Sequence, residues 1–166
     1  MATQTRPDFF HILQTLQEHG VAFIVVGGVA AVLHGAPLTT FDLDLVHSRT
    51  PENLDRLVAA LSDLGAFYRG HGDKRILPRS SHLRSDGHHL LMTDAGPLDL
   101  LGVVGLGETF ESLVSRTVVV LAGGELQIRV VDLDTLIELK EHAGRDKDLA
   151  ALPVLRATAA EKKRRG

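Results

Sequence analysis

Between Phe23 and Val46 the chain reads FIVVGGVAAVLHGAPLTTFDLDLV, and no other stretch restricts the fold as much. Ala22–Val26 is a short β-branched and aromatic run, the composition of a buried strand. It runs directly into Gly27-Gly28, and Val29–His34 then forms a short Ala-rich helix stopped by Gly35 and Pro37. Asp42–Val46 alternates carboxylate with aliphatic side chain, the period of a strand with two unlike faces. A strand feeding a helix, with another strand close behind, points to a mixed α/β chain.

The rest of the sequence agrees. Asp8–His19 predicts a first helix, with Pro7 at its start, Phe9, Leu13 and Leu16 on one face, and Gly20 as its stop. Thr50 caps a helix whose stripe is Leu54, Leu57, Val58, Leu61 and Leu64. Tyr68–His89 is polar and rich in Gly, His and Arg, and predicts loops with short strands. Leu90–Thr93 and Leu98–Val104 read as strands around an Asp-Ala-Gly-Pro turn. A short helix over Glu108–Val114 is followed by a hairpin, Thr117–Leu121 and Glu125–Val131, around Ala122-Gly123-Gly124. Asp132 caps a helix to about His142. A last helix begins near Arg145 and is expected to break at Pro153, with a frayed basic tail over 160–166. No repeat or long linker divides the 166 residues, so the expectation is one α+β domain over 1–166, a mixed sheet flanked by helices.

Composition excludes several classes. At 44% hydrophobic and 23% charged the chain can close a core and is not a disordered protein. A net charge of −3 argues against a strongly basic nucleic-acid coat protein. With no cysteine, disulfide scaffolds, Cys-based zinc sites and thiol nucleophiles are all absent. The longest apolar run, Val21–Leu33, falls short of the ~20 residues a membrane span needs. MATQTRPDFFHIL has neither a basic flank before an apolar stretch nor a cleavage site, so a cytoplasmic protein is expected.

Three carboxylates and a glycine pair carry the chemistry. A helix starting at Gly27-Gly28 leaves backbone N–H groups unpaired and open to a phosphate, although a glycine pair after a strand is also an ordinary turn. Asp42 and Asp44 lie two apart on a strand and share a face, while Leu43 and Leu45 point the other way. Either both acids are solvated on an edge, or their repulsion is relieved by a divalent cation such as Mg²⁺, which takes carboxylate and phosphate oxygens. Asp99, in GPLDLLGVV, sits between leucines in a strand, where a lone carboxylate is costly unless hydrogen-bonded, metal-bound or near water. Together these features suit phosphoryl or nucleotidyl transfer.

The string Gly-Gly-x-Ala-x-x-x-His-Gly followed by Thr40-x-Asp42-x-Asp44 resembles the nucleotidyltransferase superfamily of DNA polymerase β-like fold, in particular its branch of AbiEii-like toxins and minimal nucleotidyltransferases. The segment Leu139-Lys140 to Ala143-x-Arg145-x-Lys147-Asp148-Leu149 is similar to that family's Lys and Lys-Asp motifs. The resemblance spans roughly Phe9 to Leu152 and implies Mg²⁺, with Mn²⁺ as a substitute, held by Asp42, Asp44 and Asp99. It implies that Asp99 serves as base, that Gly27, Gly28 and Thr40 contact the nucleotide, and that Lys140 and Lys147 neutralise phosphate, with Asp148 orienting. It further implies an NTP donor, an unknown acceptor such as tRNA or another hydroxyl-bearing molecule, and a toxin–antitoxin or defence setting with a protein partner.

Two positions depart from the pattern. Leu38 stands where many relatives are basic, and Ala151 where a second acid is common. These departures motivate an alternative, a catalytically inactive nucleotide- or partner-binding protein of the same fold; a metal-dependent phosphodiesterase is a third reading. His82, His88 and His89 match no metal-ligand spacing and are expected on an exposed loop. His34 is expected to satisfy carbonyls at its own helix end. Arg69, Lys74, Arg75, Arg79 and Arg84 read as a solvated loop or as a phosphate-contacting surface.

Overall fold

A computed structural model of the chain describes residues 6–166; Met1–Thr5, part of the segment inspected for a leader, lie outside the described residues. Helix α1 (Phe9–Glu18) begins where the Asp8 side chain accepts from the His11 backbone N–H, and it buries Ile12, Leu13 and Leu16. Strand β1 (Phe23–Val26) is buried throughout and passes without a spacer into α2 (Gly27–Leu33). Strand β2 (Leu43–His47) follows, then α3 (Pro51–Asp63), capped by the Thr50 side chain. The polar middle supplies a two-residue strand β3 (Phe67–Tyr68) and one turn of helix, α4 (Ser80–Leu83). β4 (His88–Thr93) and β5 (Gly96–Leu101) form a hairpin over the two-residue turn Asp94-Ala95. After α5 (Phe110–Leu113), β6 (Thr117–Ala122) and β7 (Leu126–Val131) make the expected second hairpin. The chain ends with α6 (Leu133–Ala143) and α7 (Asp146–Arg165).

All seven strands join one mixed sheet in the order β3-β4-β5-β2-β1-β7-β6. β2 pairs antiparallel with β1 and parallel with β5, and β7 lies parallel to β1. Helices α1, α3 and α4 pack together, as do α2, α6 and α7, so both faces of the sheet are covered and the expected α+β architecture is realised. The core is aliphatic, built on Ile24, Leu43, Leu45, Leu98 and Leu100 from the central strands and Leu16, Leu54, Leu57 and Leu61 from the helices. No helix is long and apolar enough to cross a membrane among the described residues.

Two local expectations are corrected. α7 runs unbroken through Pro153, where a break was expected, and extends to Arg165. A helix-interior proline removes one backbone hydrogen bond, here to the Leu149 carbonyl; buried Leu152 and Leu155 on either side anchor both halves and outweigh that loss. β2 starts at Leu43, one residue later than expected, so Asp42 lies just before the strand. The Thr40 hydroxyl donates to the Asp42 carbonyl at 3.1 Å, a local bond that competes with ladder pairing.

Candidate functional site

Sheet order brings the acids together. In the parallel β2–β5 register Asp44 lies opposite Asp99, so both side chains share a face. Asp42 adds its charge from the approach to β2. The crowding acts on Asp44: burial, then the charge and hydrogen bonding of Asp99, then the charge of Asp42 push its carboxyl from 3.8 up to about 7, with Lys140 opposing.

Asp99 is 9% exposed and faces Arg69, whose Nη2 lies 2.7 Å from Asp99 Oδ1. The approach is electrostatic, because no N–H points well at Oδ1 and that oxygen has no hydrogen-bond partner. Arg69 Nη1 meanwhile donates to the Leu91 carbonyl at 2.7 Å, which fixes the guanidinium.

The glycine pair has a steric reason as well as a chemical one. Gly27 has φ +70°, and a Cβ there would collide with Asp44 Oδ2. A Cβ on Gly28 would fall 2.6 Å from Thr40 Oγ1. Only glycines let the β1–α2 junction lie against Asp44 and Thr40.

On the opposite wall, Asp148 is 1% exposed and clamps two cations: Lys140 Nζ donates to its Oδ1 at 3.1 Å, and Arg145 Nε to its Oδ2 at 2.7 Å. Burial alone would raise this carboxyl, but the hydrogen bonds from Arg145 and Lys140 prevail and hold it below its usual range. Gly144, left-handed at φ +63°, ends α6 and turns the chain so that α7 can return Asp148 to Lys140.

Two clefts meet at Asp44, Lys140 and Arg145. One, of about 390 Å³, has Gly27 and Asp148 at its polar side and Leu101, Val103, Leu136 and Leu139 as aliphatic walls, with His88 and His142 at its edge. The other, of about 430 Å³, holds Gly28, Thr40, Asp42 and Lys147. Of the residues singled out in the sequence, Asp42, Asp44, Gly27, Gly28, Thr40, Lys140 and Lys147 therefore line connected space. Asp99 lies behind Asp44 and lines neither cleft.

The carboxylate oxygens of Asp42, Asp44 and Asp99 are the hard donors that Mg²⁺ takes, and the crowding that raises Asp44 is what a cation would relieve. Among the described residues, no three acids or histidines converge as a ready-made ion site. Arg69 occupies the position beside Asp99.

Sequence reasoning gave Arg145 no role and did not foresee the pairing of Arg69 with Asp99. Arg145 stood inside the quoted Lys140–Leu149 string, where its place between two lysines was the available signal. Arg69 was read only as one of five basic residues of a solvated or phosphate-contacting segment; its partner Asp99 is met through the pairing of β3, β4 and β5. The histidine expectation is corrected: His88 and His89 belong to β4, and His89 is buried, with Tyr68 Oη 2.9 Å from its Nδ1. Burial, followed by the charges of His47, His82 and His88, lowers His89 to about 4. His34 reaches beyond its own helix, placing Nε2 2.8 Å from the Val131 carbonyl and Nδ1 2.6 Å from Lys162 Nζ. The basic middle segment is partly engaged as well, with Arg75 stacked 4.6 Å over the Phe67 ring.

No protein-family model matches this sequence, and no curated protein matches it. Solved structures do match. The lincosamide antibiotic adenylyltransferase LnuA, solved with lincomycin, is 14% identical with a TM-score of 0.61, covering 90% of this chain and 95% of its own. ANT(2″)-Ia in complex with adenylyl-2″-tobramycin is 16% identical with a TM-score of 0.59, over 93% of this chain and 90% of that one. TM1012 of Thermotoga maritima, a provisional nucleotidyltransferase, is 16% identical with a TM-score of 0.59, over 87% and 88%. These matches, each over most of both chains at TM-scores of 0.59 to 0.61, show that the chain has the nucleotidyltransferase fold.

Proposed function

We propose that the protein is a Mg²⁺-dependent nucleotidyltransferase that moves a nucleoside monophosphate from an NTP to a hydroxyl-bearing acceptor. The observation that carries this reading is Asp44, crowded by Asp42 and Asp99 at the junction of two clefts and faced by Lys140 and Arg145.

Asp42 and Asp44, with Asp99 behind them, would hold Mg²⁺, or Mn²⁺ in its place; the bound ion neutralises charge on the phosphates and activates the α-phosphorus. Gly27, Gly28 and Thr40 leave room for the polyphosphate, and Lys140, Arg145 and Lys147 balance its charge. Asp148 orients Lys140 and Arg145. The acceptor oxygen bonds to the α-phosphorus as the bond to the bridging oxygen breaks, pyrophosphate departs, and the hydroxyl proton leaves through water toward Asp99, the base the family resemblance implies, which lies behind Asp44 with Arg69 as its counter-ion. Fixing these groups before reaction supplies positioning and electrostatic stabilisation, the main protein contributions to this class of reaction.

A small hydroxylated acceptor is favoured over tRNA. The two adenylyltransferases matched over nearly their whole length carry lincomycin and adenylyl-tobramycin, and the aliphatic cleft of about 390 Å³ suits such a molecule. A toxin–antitoxin or defence role belongs to the same reading and expects a stable complex with a partner protein. A second reading, a catalytically inactive nucleotide-binding protein, is favoured by one observation, the Arg69–Asp99 ion pair.

The test uses α-labelled NTPs, each in turn, with Mg²⁺ and separate pools of tRNA and of lincosamide and aminoglycoside compounds. The Asp42→Asn/Asp44→Asn variant runs alongside. Label reaching a small acceptor only with the unmodified chain supports the proposal, and label on tRNA reassigns the acceptor. Nucleotide binding without transfer to either pool favours the inactive reading. Transfer that survives the double substitution overturns the assignment of the acids.

A further inference from the structure

Phe41 is 73% exposed, more than any other aromatic side chain among the described residues, and it stands between Thr40 and Asp42 on the rim of the cleft of about 430 Å³. A phenyl ring left in water beside charged groups contributes nothing to the core, which invites the question of what covers it. Its cleft has a mixed lining. Lys140, Arg145 and Lys147 supply cations to it, beside the acids Asp42 and Asp44. Leu38, Ala150 and Ala151 add apolar surface to the same lining. Leu38 and Ala151 are the two positions that depart from the resembled pattern by lacking charge, and both fall in this cleft. The neighbouring cleft has aliphatic walls and no phenyl ring.

An occupant that satisfies both the cations and the apolar surface needs an anionic segment joined to a flat, weakly polar one. A nucleoside polyphosphate has that construction. Resting on the nucleotidyltransferase reading, we propose that Phe41, backed by Leu38 and Ala151, is the stacking platform for the nucleobase of the donor, while the cations of the same cleft take its phosphates. The acceptor then belongs in the aliphatic cleft on the other side of Asp44. Because every base presents a π-face, such a platform discriminates weakly among bases, and the site accepts more than one NTP with purines bound more tightly.

The chain contains no tryptophan, so Phe41→Trp installs a single fluorophore at the proposed contact. The probes are α,β-methylene-ATP, which cannot lose pyrophosphate, and inorganic tripolyphosphate, each with Mg²⁺. Calorimetry is run on the unmodified chain and on Phe41→Ala. The expected result is quenching of the introduced indole's emission by the ATP analogue, reversal of that quenching by tripolyphosphate, and no quenching by tripolyphosphate alone. Phe41→Ala should weaken the ATP analogue about ten-fold or more and leave tripolyphosphate affinity unchanged. Equal analogue affinity in Phe41→Ala, with no quenching in Phe41→Trp, overturns the platform while the nucleotide reading stands. Failure of the unmodified chain to bind either probe overturns the nucleotide reading and the platform with it.

Discussion

Arg69 and Asp99 form an ion pair across the sheet, with Nη2 2.7 Å from Oδ1, and the guanidinium is held in place by the Leu91 carbonyl. Asp99 shares its face with Asp44 through the β2–β5 register, so Arg69 is the counter-charge that lets two acids stand side by side in the absence of an ion. Replacing only Arg69 strands a largely buried carboxylate beside another. Arg69→Met is expected to cost about 1–3 kcal/mol at neutral pH. Adding Asp99→Asn should restore most of that loss, because the orphaned charge is then gone. Urea unfolding of the two single variants and the double variant reads the coupling; additive losses would show that the pair is not energetically linked.

Asp44 makes the metal-free protein sensitive to pH in a defined direction. Its carboxyl rises from 3.8 to about 7 through burial first and then through Asp99 and Asp42. Between these values the folded protein keeps a proton that the unfolded chain has released, so stability is highest toward pH 4 and falls as pH rises through about 7. At about 1.4 kcal/mol per pH unit the ceiling is roughly 4 kcal/mol. In EDTA, Asp44→Asn should match the parent's Tm near pH 4 and exceed it by several degrees at pH 8. Mg²⁺ should raise the parent's Tm more at pH 8 than at pH 5, and do little for the variant. Parallel Tm curves across this range would contradict the assignment.

Asp148 acts in the opposite sense. Lys140 and Arg145 hold its carboxyl below the ordinary 3.8 despite burial, so its contribution is complete above about pH 4 and is lost as pH falls below that. Asp148→Asn should destabilise the fold by about 2–4 kcal/mol at pH 7, since two cations lose their buried partner. The gap from the parent should narrow steadily in acid. Thermal melts from pH 7 to pH 2.5 test this, and a gap constant across that range would mean that packing rather than charge sets the effect.

Much of the site is legible in the amino-acid sequence because its signals are local. The glycine pair, the Asp42-x-Asp44 alternation, the Asp132 cap and the turn residues of both hairpins each encode their own few residues of backbone, and the elements form within two or three residues of expectation, β5 at Gly96–Leu101 where Leu98–Val104 was expected. The exceptions have physical causes. Asp42 leaves the strand because Thr40 bonds its carbonyl. α7 continues past Pro153 because Leu152 and Leu155 are buried. His89, read as a loop residue, alternates inward once β4 pairs with β5.

The sequence by itself determined which side chains could carry the chemistry, since strand and helix periods fix how residues close along the chain share a face. Only the tertiary structure decided which of them meet. It set Asp44 against Asp99, brought Arg69 across two strands to neutralise Asp99, folded α7 back so that Asp148 clamps Lys140 and Arg145, and left the Phe41 ring on the rim of a charged cleft. Those relationships depend on sheet order and on burial, which arise from packing between segments distant in the chain, and no local period of the sequence encodes them.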